Sequence, residues 1–109
     1  MGPTVIDWGD VPPEGAGGAV RKRRLAGAGA ELVRVEVEAG TRAGRHGHPH
    51  EQFVQVLSGS GVSETEAGRR EFGPGTVSHF PPGARHAAEF RTDTVPVETN
   101  LAEPDWRVP

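Results

Sequence analysis

The sequence contains no cysteine and no tyrosine, and Lys22 is the single lysine among 109 residues. Without thiols there are no disulfides and no thiolate metal sites, so any bound metal must use nitrogen or oxygen donors. No apolar run approaches the ~20 residues that cross a bilayer, and the opening "MGPTVIDWGD" lacks the basic head and apolar stretch of a signal peptide. The expected location is the cytoplasm, with no membrane partner. Net charge is −3 and the only dense basic run is "RKRR" at residues 21–24. That leaves no extended surface for phosphates, so nucleic acid is not an expected partner, and the run reads as a solvated or edge strand. Helix also finds little support, because no window of useful length holds a 3.6-residue apolar period free of Gly or Pro.

What the chain has in quantity is punctuation. With 16 glycines, 10 prolines and 34% hydrophobic residues, its apolar segments must be short and separated by tight turns. Val33, Val35 and Val37 alternate with Arg34, Glu36 and Glu38, the period of a strand with one buried face. Further short segments follow: "FVQVLSG", "GVSETEAG", "RREFGPG", "TVSHFPPG", "RHAAEFRT" and "VPVETNL". Each is bounded by Gly, Pro or small polar residues, and together they predict an all-β sandwich or small barrel. The length suits one domain of about 100–150 residues. Residues 1–20, a short strand "TVIDW" followed by "GDVPPEGAGGAV", read as an arm and flexible connector, and residues 21–109 as the domain.

Three of the five histidines fall in "GTRAGRHGHPHEQ", residues 40–52. Residues i and i+2 of a strand share a face at roughly 6.6–7 Å, so His46 and His48 can converge on one ion about 2.0–2.1 Å from each nitrogen. His50 would lie roughly 13 Å from His46 along a straight strand and is expected to turn away. The alternative is a solvated, histidine-rich loop. A second segment, "GTVSHFPPGARH", offers His79 and His86 as further donors, and a barrel can bring the two segments face to face.

These residues resemble the two motifs of the cupin family. The first reads here as Gly40, His46, His48, Gln52 and Gly59. The second reads as Gly75, Pro81, Gly83 and His86, with Phe90 where an asparagine is expected. The resemblance spans residues 40–90 and implies an all-β, cupin-type antiparallel jelly-roll barrel with a divalent metal in its cavity, assembled as a homodimer. It carries ligand roles to His46, His48 and His86. Gln52 stands where the family usually has glutamate, and as a neutral amide it would leave the full charge of the ion uncompensated, strengthening it as a Lewis acid. Gln52 is expected as a ligand or as a group orienting a water. His79 is expected as a fourth imidazole ligand or, if free of the metal, as a general base. The bland alternative for His79 is a histidine buried beside Phe80 with its ring bonded to backbone.

Nitrogen-rich neutral ligands suit zinc, iron, nickel or copper; zinc is expected, with iron and nickel as alternatives. Val35, Val37, Val54, Val56 and Phe90 predict an apolar cavity, with Trp8 and Trp106 at its mouth or in packing. The short chain and its "HGHPHEQ" segment are similar to the mono-cupin aromatic polyketide cyclases of actinomycetes. That resemblance implies metal-dependent aldol cyclisation of a hydrophobic poly-β-ketone, with Gln52 and His79 as the catalytic candidates. Two other classes remain open: another cupin enzyme, either an iron-dependent dioxygenase or a sugar-acid converting enzyme, and a non-catalytic binder of a small ligand. An Arg-lined, polar cavity favours the sugar-acid enzyme and an apolar one the cyclase.

Overall fold

The computed structural model describes residues 2–15 and 18–102. Among the described residues there are nine strands: β1 (Val20–Ala26), β2 (Ala30–Val37), β3 (Arg42–Gly47), β4 (Gln52–Ser58), β5 (Gly61–Thr65), β6 (Gly68–Phe72), β7 (Val77–Phe80), β8 (Arg85–Phe90) and β9 (Val95–Leu101). They form a five-stranded sheet in the order β1-β2-β9-β4-β7 and a four-stranded sheet in the order β3-β8-β5-β6. Every pairing is antiparallel, which is the jelly-roll arrangement expected of the turn-rich sequence. Among the described residues no helix is long and apolar enough to cross a membrane.

The alternation in β2 works as read. Val33, Val35 and Val37 are buried and form one cluster with Phe90 packed against it, while Arg34 and Glu36 face outward and pair with each other. The basic run lies in β1 at the edge of the larger sheet, where Glu14 N–H donates to the Lys22 carbonyl and charged side chains flank the open strand side. The strand expected at "TVIDW" is absent. A 3-10 turn occupies Trp8–Asp10 instead, and the Arg23 guanidinium donates to the Trp8 and Val11 carbonyls. Trp106 lies outside the described residues.

Register places three rows of side chains on the inner face of the larger sheet. Glu31, Asn100, Gln52 and Phe80 are successive Cα partners across β2, β9, β4 and β7, as are Val33, Glu98, Val54 and Ser78; Pro96 faces Val56 in the third. The smaller sheet answers with His46 opposite His86, Ala43 opposite Ala88, and Gly61 between Phe90 and Phe72. Gly61 permits that last row, because a Cβ there would lie 2.5 Å from the Phe72 ring and 2.1 Å from the Glu89 carbonyl oxygen. Phe72 and Phe90 meet edge to face with centroids 5.7 Å apart, a favoured aromatic geometry.

Candidate metal centre and cavity

Between the two sheets lies a cavity of about 120 Å³. Its walls are mostly apolar: Val54, Val56, Phe72, Phe80, Phe90 and Pro96. Val54, Val56 and Phe90 are where the sequence places them. Val35 and Val37 are not lining residues but belong to the packed valine cluster beside the cavity; in the row through Val33, the lining residues are Glu98, Val54 and Ser78.

The imidazoles gather at one end. His46 and His86 face each other across β3 and β8 with ring centroids 4.4 Å apart, and His48 lies 5.0 Å from the first and 5.8 Å from the second. One nitrogen from each of the three lies within 4.8 Å of the others. The route to this cluster differs from a regular strand with two histidines on one face. β3 ends at Gly47, and a register shift between Ala43 and His46 turns the strand, so His48 reaches the group from the loop beyond. That loop is held by the Gly83 N–H, which donates to the His48 carbonyl at 2.7 Å. Gly83 sits at φ +80, a left-handed conformation that suits glycine.

Local chemistry prepares these rings to donate lone pairs. The Gly44 carbonyl can only accept, so His46 Nδ1, 2.7 Å away, carries the proton and leaves Nε2 free. Burial pushes the His86 imidazole down to about 4, helped by its two histidine neighbours, and burial likewise lowers His48. Both are therefore neutral near pH 7, the form that binds metal. Phe80 stacks on His86 with centroids 4.0 Å apart, and His86 Nδ1 is buried without a hydrogen-bond partner. Three imidazoles, each with a nitrogen within 4.8 Å of the others, form a donor set that fits a cation.

Gln52 is buried at 3% exposure and lines the same cavity as His46 and His86. Its Nε2 donates to Asn100 Oδ1 at 2.9 Å. His50 stacks on His48 at 4.9 Å and stands outside the three-imidazole group, lining a separate cleft with Glu31 and Asn100.

His79 requires a correction. Ser78 and Phe80 line the cavity, so the period of two turns His79, between them on β7, to the opposite face. There it stacks on Phe53 at 4.7 Å, and its Nε2 meets Glu51 Oε2 at 2.6 Å. This exposed, hydrogen-bonded position keeps His79 out of the ligand group and away from any substrate in the cavity. The buried alternative, with its ring on backbone, is not what forms either.

Sequence reasoning missed Glu98. Its carboxyl lines the cavity with His46, His86, Ser63 and Ser78, and desolvation raises its pKa against the pull of Lys22, Arg24 and His46. The only available signal was a carboxylate inside the apolar segment "VPVETNL", at the same parity as Pro96 and Asn100.

An antiparallel double-sheet barrel with three converging imidazoles at one end of an apolar cavity defines a class of small β-barrels able to hold a metal ion at that end. The sequence matches the cupin domain over residues 33–101, and the chain belongs to that family. It is similar in structure to an RmlC-like cupin from Shewanella frigidimarina (18% identity, TM-score 0.83, covering 98% of this chain and 97% of that one). It is also similar to KdgF from Halomonas sp. (20%, 0.81, 99% and 100%) and to ectoine synthase from P. lautus (20%, 0.79, 90% and 77%). At these identities the likeness is one of fold. No curated protein sequence matches the chain significantly.

Proposed function

We propose that this cupin is a metal-dependent enzyme that moves a proton at carbon next to a ketone and so promotes aldol-type ring closure of an apolar, ketone-bearing chain. The observation that carries this reading is that His46 and His86, two members of the three-imidazole cluster, line one mostly apolar cavity together with Glu98. His46, His48 and His86 hold the divalent ion, with Gln52 beside them; zinc suits a donor set of neutral nitrogens and one amide. Bound there, such an ion supplies Lewis-acid polarisation of a carbonyl oxygen.

The remaining chemistry belongs to the chain. Glu98, made more basic by its apolar surroundings, takes the proton from the carbon next to the ketone. That carbon then bonds to a second carbonyl carbon of the same substrate, and Glu98 returns the proton to the oxygen so formed. Ser78 offers a hydroxyl to orient a carbonyl, while Phe72, Phe80 and Phe90 exclude water. A cavity of about 120 Å³ is smaller than the ~300–1,000 Å³ that encloses a whole drug-sized ligand. It therefore admits the ring-forming end of a poly-β-ketone and leaves the rest at the mouth. The sugar-acid alternative is not favoured, since among the described lining residues there is no Arg or Lys to hold a substrate carboxylate.

The test uses a slowly exchanging aryl methyl ketone in D₂O, followed by NMR with metal-loaded protein. Exchange of the methyl protons should require both the ion and Glu98. Exchange no faster than in buffer would overturn the reading.

A further inference from the structure

A chain of polar side chains leads from the cavity to the edge of the larger sheet. Gln52, Asn100 and Glu31 are Cα partners across β4, β9 and β2. Gln52 Nε2 donates to Asn100 Oδ1 at 2.9 Å, and Asn100 Nδ2 donates to Glu31 Oε1 at 3.0 Å. Arg24 on β1 donates to the same carboxylate oxygen, and its Nε donates to Glu14 Oε1 at 2.9 Å. The direction of each link follows from the groups themselves. A guanidinium only donates and a carboxylate only accepts. Asn100 must therefore turn its NH₂ to Glu31, which leaves its oxygen for Gln52, and Gln52 must answer with its own NH₂. The amide oxygen of Gln52 is then the atom left for the cavity that Gln52 shares with His46 and His86.

We propose that Asn100, Glu31 and Arg24 are positioning residues that hold the Gln52 amide oxygen toward His46, His48 and His86 as a fourth donor to a divalent cation. The donor role rests on the metal-binding reading above. The same relay accounts for glutamine in place of glutamate at position 52. A carboxylate there has no proton to give Asn100, so acceptor would face acceptor in a buried site.

The relay predicts that its polarity can be reversed. In the metal-free protein, Gln52→Glu should lower Tm by about 5 °C or more. Adding Glu31→Gln places an NH₂ opposite Asn100, which can turn over and donate to the new carboxylate, restoring at least half of the loss. Glu51→Gln removes the same charge next to position 52 but lies outside the relay, and it should restore little. Equal rescue by both substitutions, or none by Glu31→Gln, overturns the relay.

The donor role is read separately from Co²⁺ binding, by chelator competition and visible absorption. Asn100→Leu frees the Gln52 amide to turn, so Co²⁺ affinity should fall about tenfold and the bands should move toward those of fewer donors. Wild-type affinity and spectrum in that variant overturn the positioning role. A wild-type protein that takes up no Co²⁺ overturns the metal reading and with it the donor role, while the Tm series alone decides the relay.

Discussion

Acidifying the metal-free protein should destabilise it through His86. This imidazole sits at about 4 in the folded chain against an ordinary 6.5, chiefly because burial disfavours its charged form. The unfolded chain therefore binds the proton first as pH falls below 6.5, and stability drops until the folded form also protonates near 4. At about 1.4 kcal/mol per pH unit, the upper limit of this loss is roughly 3 kcal/mol. His86 is only half-buried, and solvent screening reduces the figure to about 1–2 kcal/mol. For a domain of this size that corresponds to a fall in Tm of about 5–10 °C. Burial lowers His48 in the same direction, whereas the raised Glu98 carboxyl opposes both, since its contribution is lost as pH rises. The wild-type curve is therefore compared with that of His86→Gln, by urea unfolding in the presence of a chelator across that pH range. The wild type should lose stability on acidification relative to the variant. Parallel curves would refute the assignment of His86 as a buried, neutral imidazole.

Glu98→Gln should abolish ketone proton exchange while leaving metal content intact. Because the raised carboxyl of Glu98 contributes stability below its ordinary 4.5 that disappears as pH rises through the folded value, the variant should gain on wild type in urea midpoints as pH rises above 4.5; a constant gap contradicts this. His46→Ala should lose bound metal in elemental analysis of the purified protein, whereas His79→Ala should retain it, and metal loss in the latter would overturn the outer-face placement. Val33→Ala empties part of the fully buried valine cluster and should cost about 2 kcal/mol in chemical denaturation, with a loss under half that size indicating a poorly packed cluster.

Different parts of the molecule were legible in the sequence to different degrees. Val33, Val35 and Val37 could be read because one face of β2 is apolar and the other charged, so the period of two is explicit. β7 is only four residues long, and its "VSHF" gives no such contrast. Val77 is more than half exposed while Ser78 lines the cavity, the reverse of what polarity suggests, and His79 goes outward with Val77. Glu98 was hidden by the same ambiguity, since a lone carboxylate among Val, Pro and Thr reads as a surface group until register sets it opposite Val54.

By itself the sequence determined an all-β chain and the strand alternation of β2, and its two cupin-like motifs marked His46, His48 and His86 as candidate ligands. These are local properties, written in the period of side chains and in the glycines that permit tight turns. The tertiary structure alone decided which side of β7 faces inward, that Glu98 shares the cavity, and which way the Gln52 amide points. Each depends on partners far apart in the chain: Ser78 and Phe80 against Val54 and Gln52, Glu98 against Val33, and Gln52 against Asn100, Glu31 and Arg24. Pairing register and the one-way chemistry of donors and acceptors set them, and neither can be read from a strand taken alone.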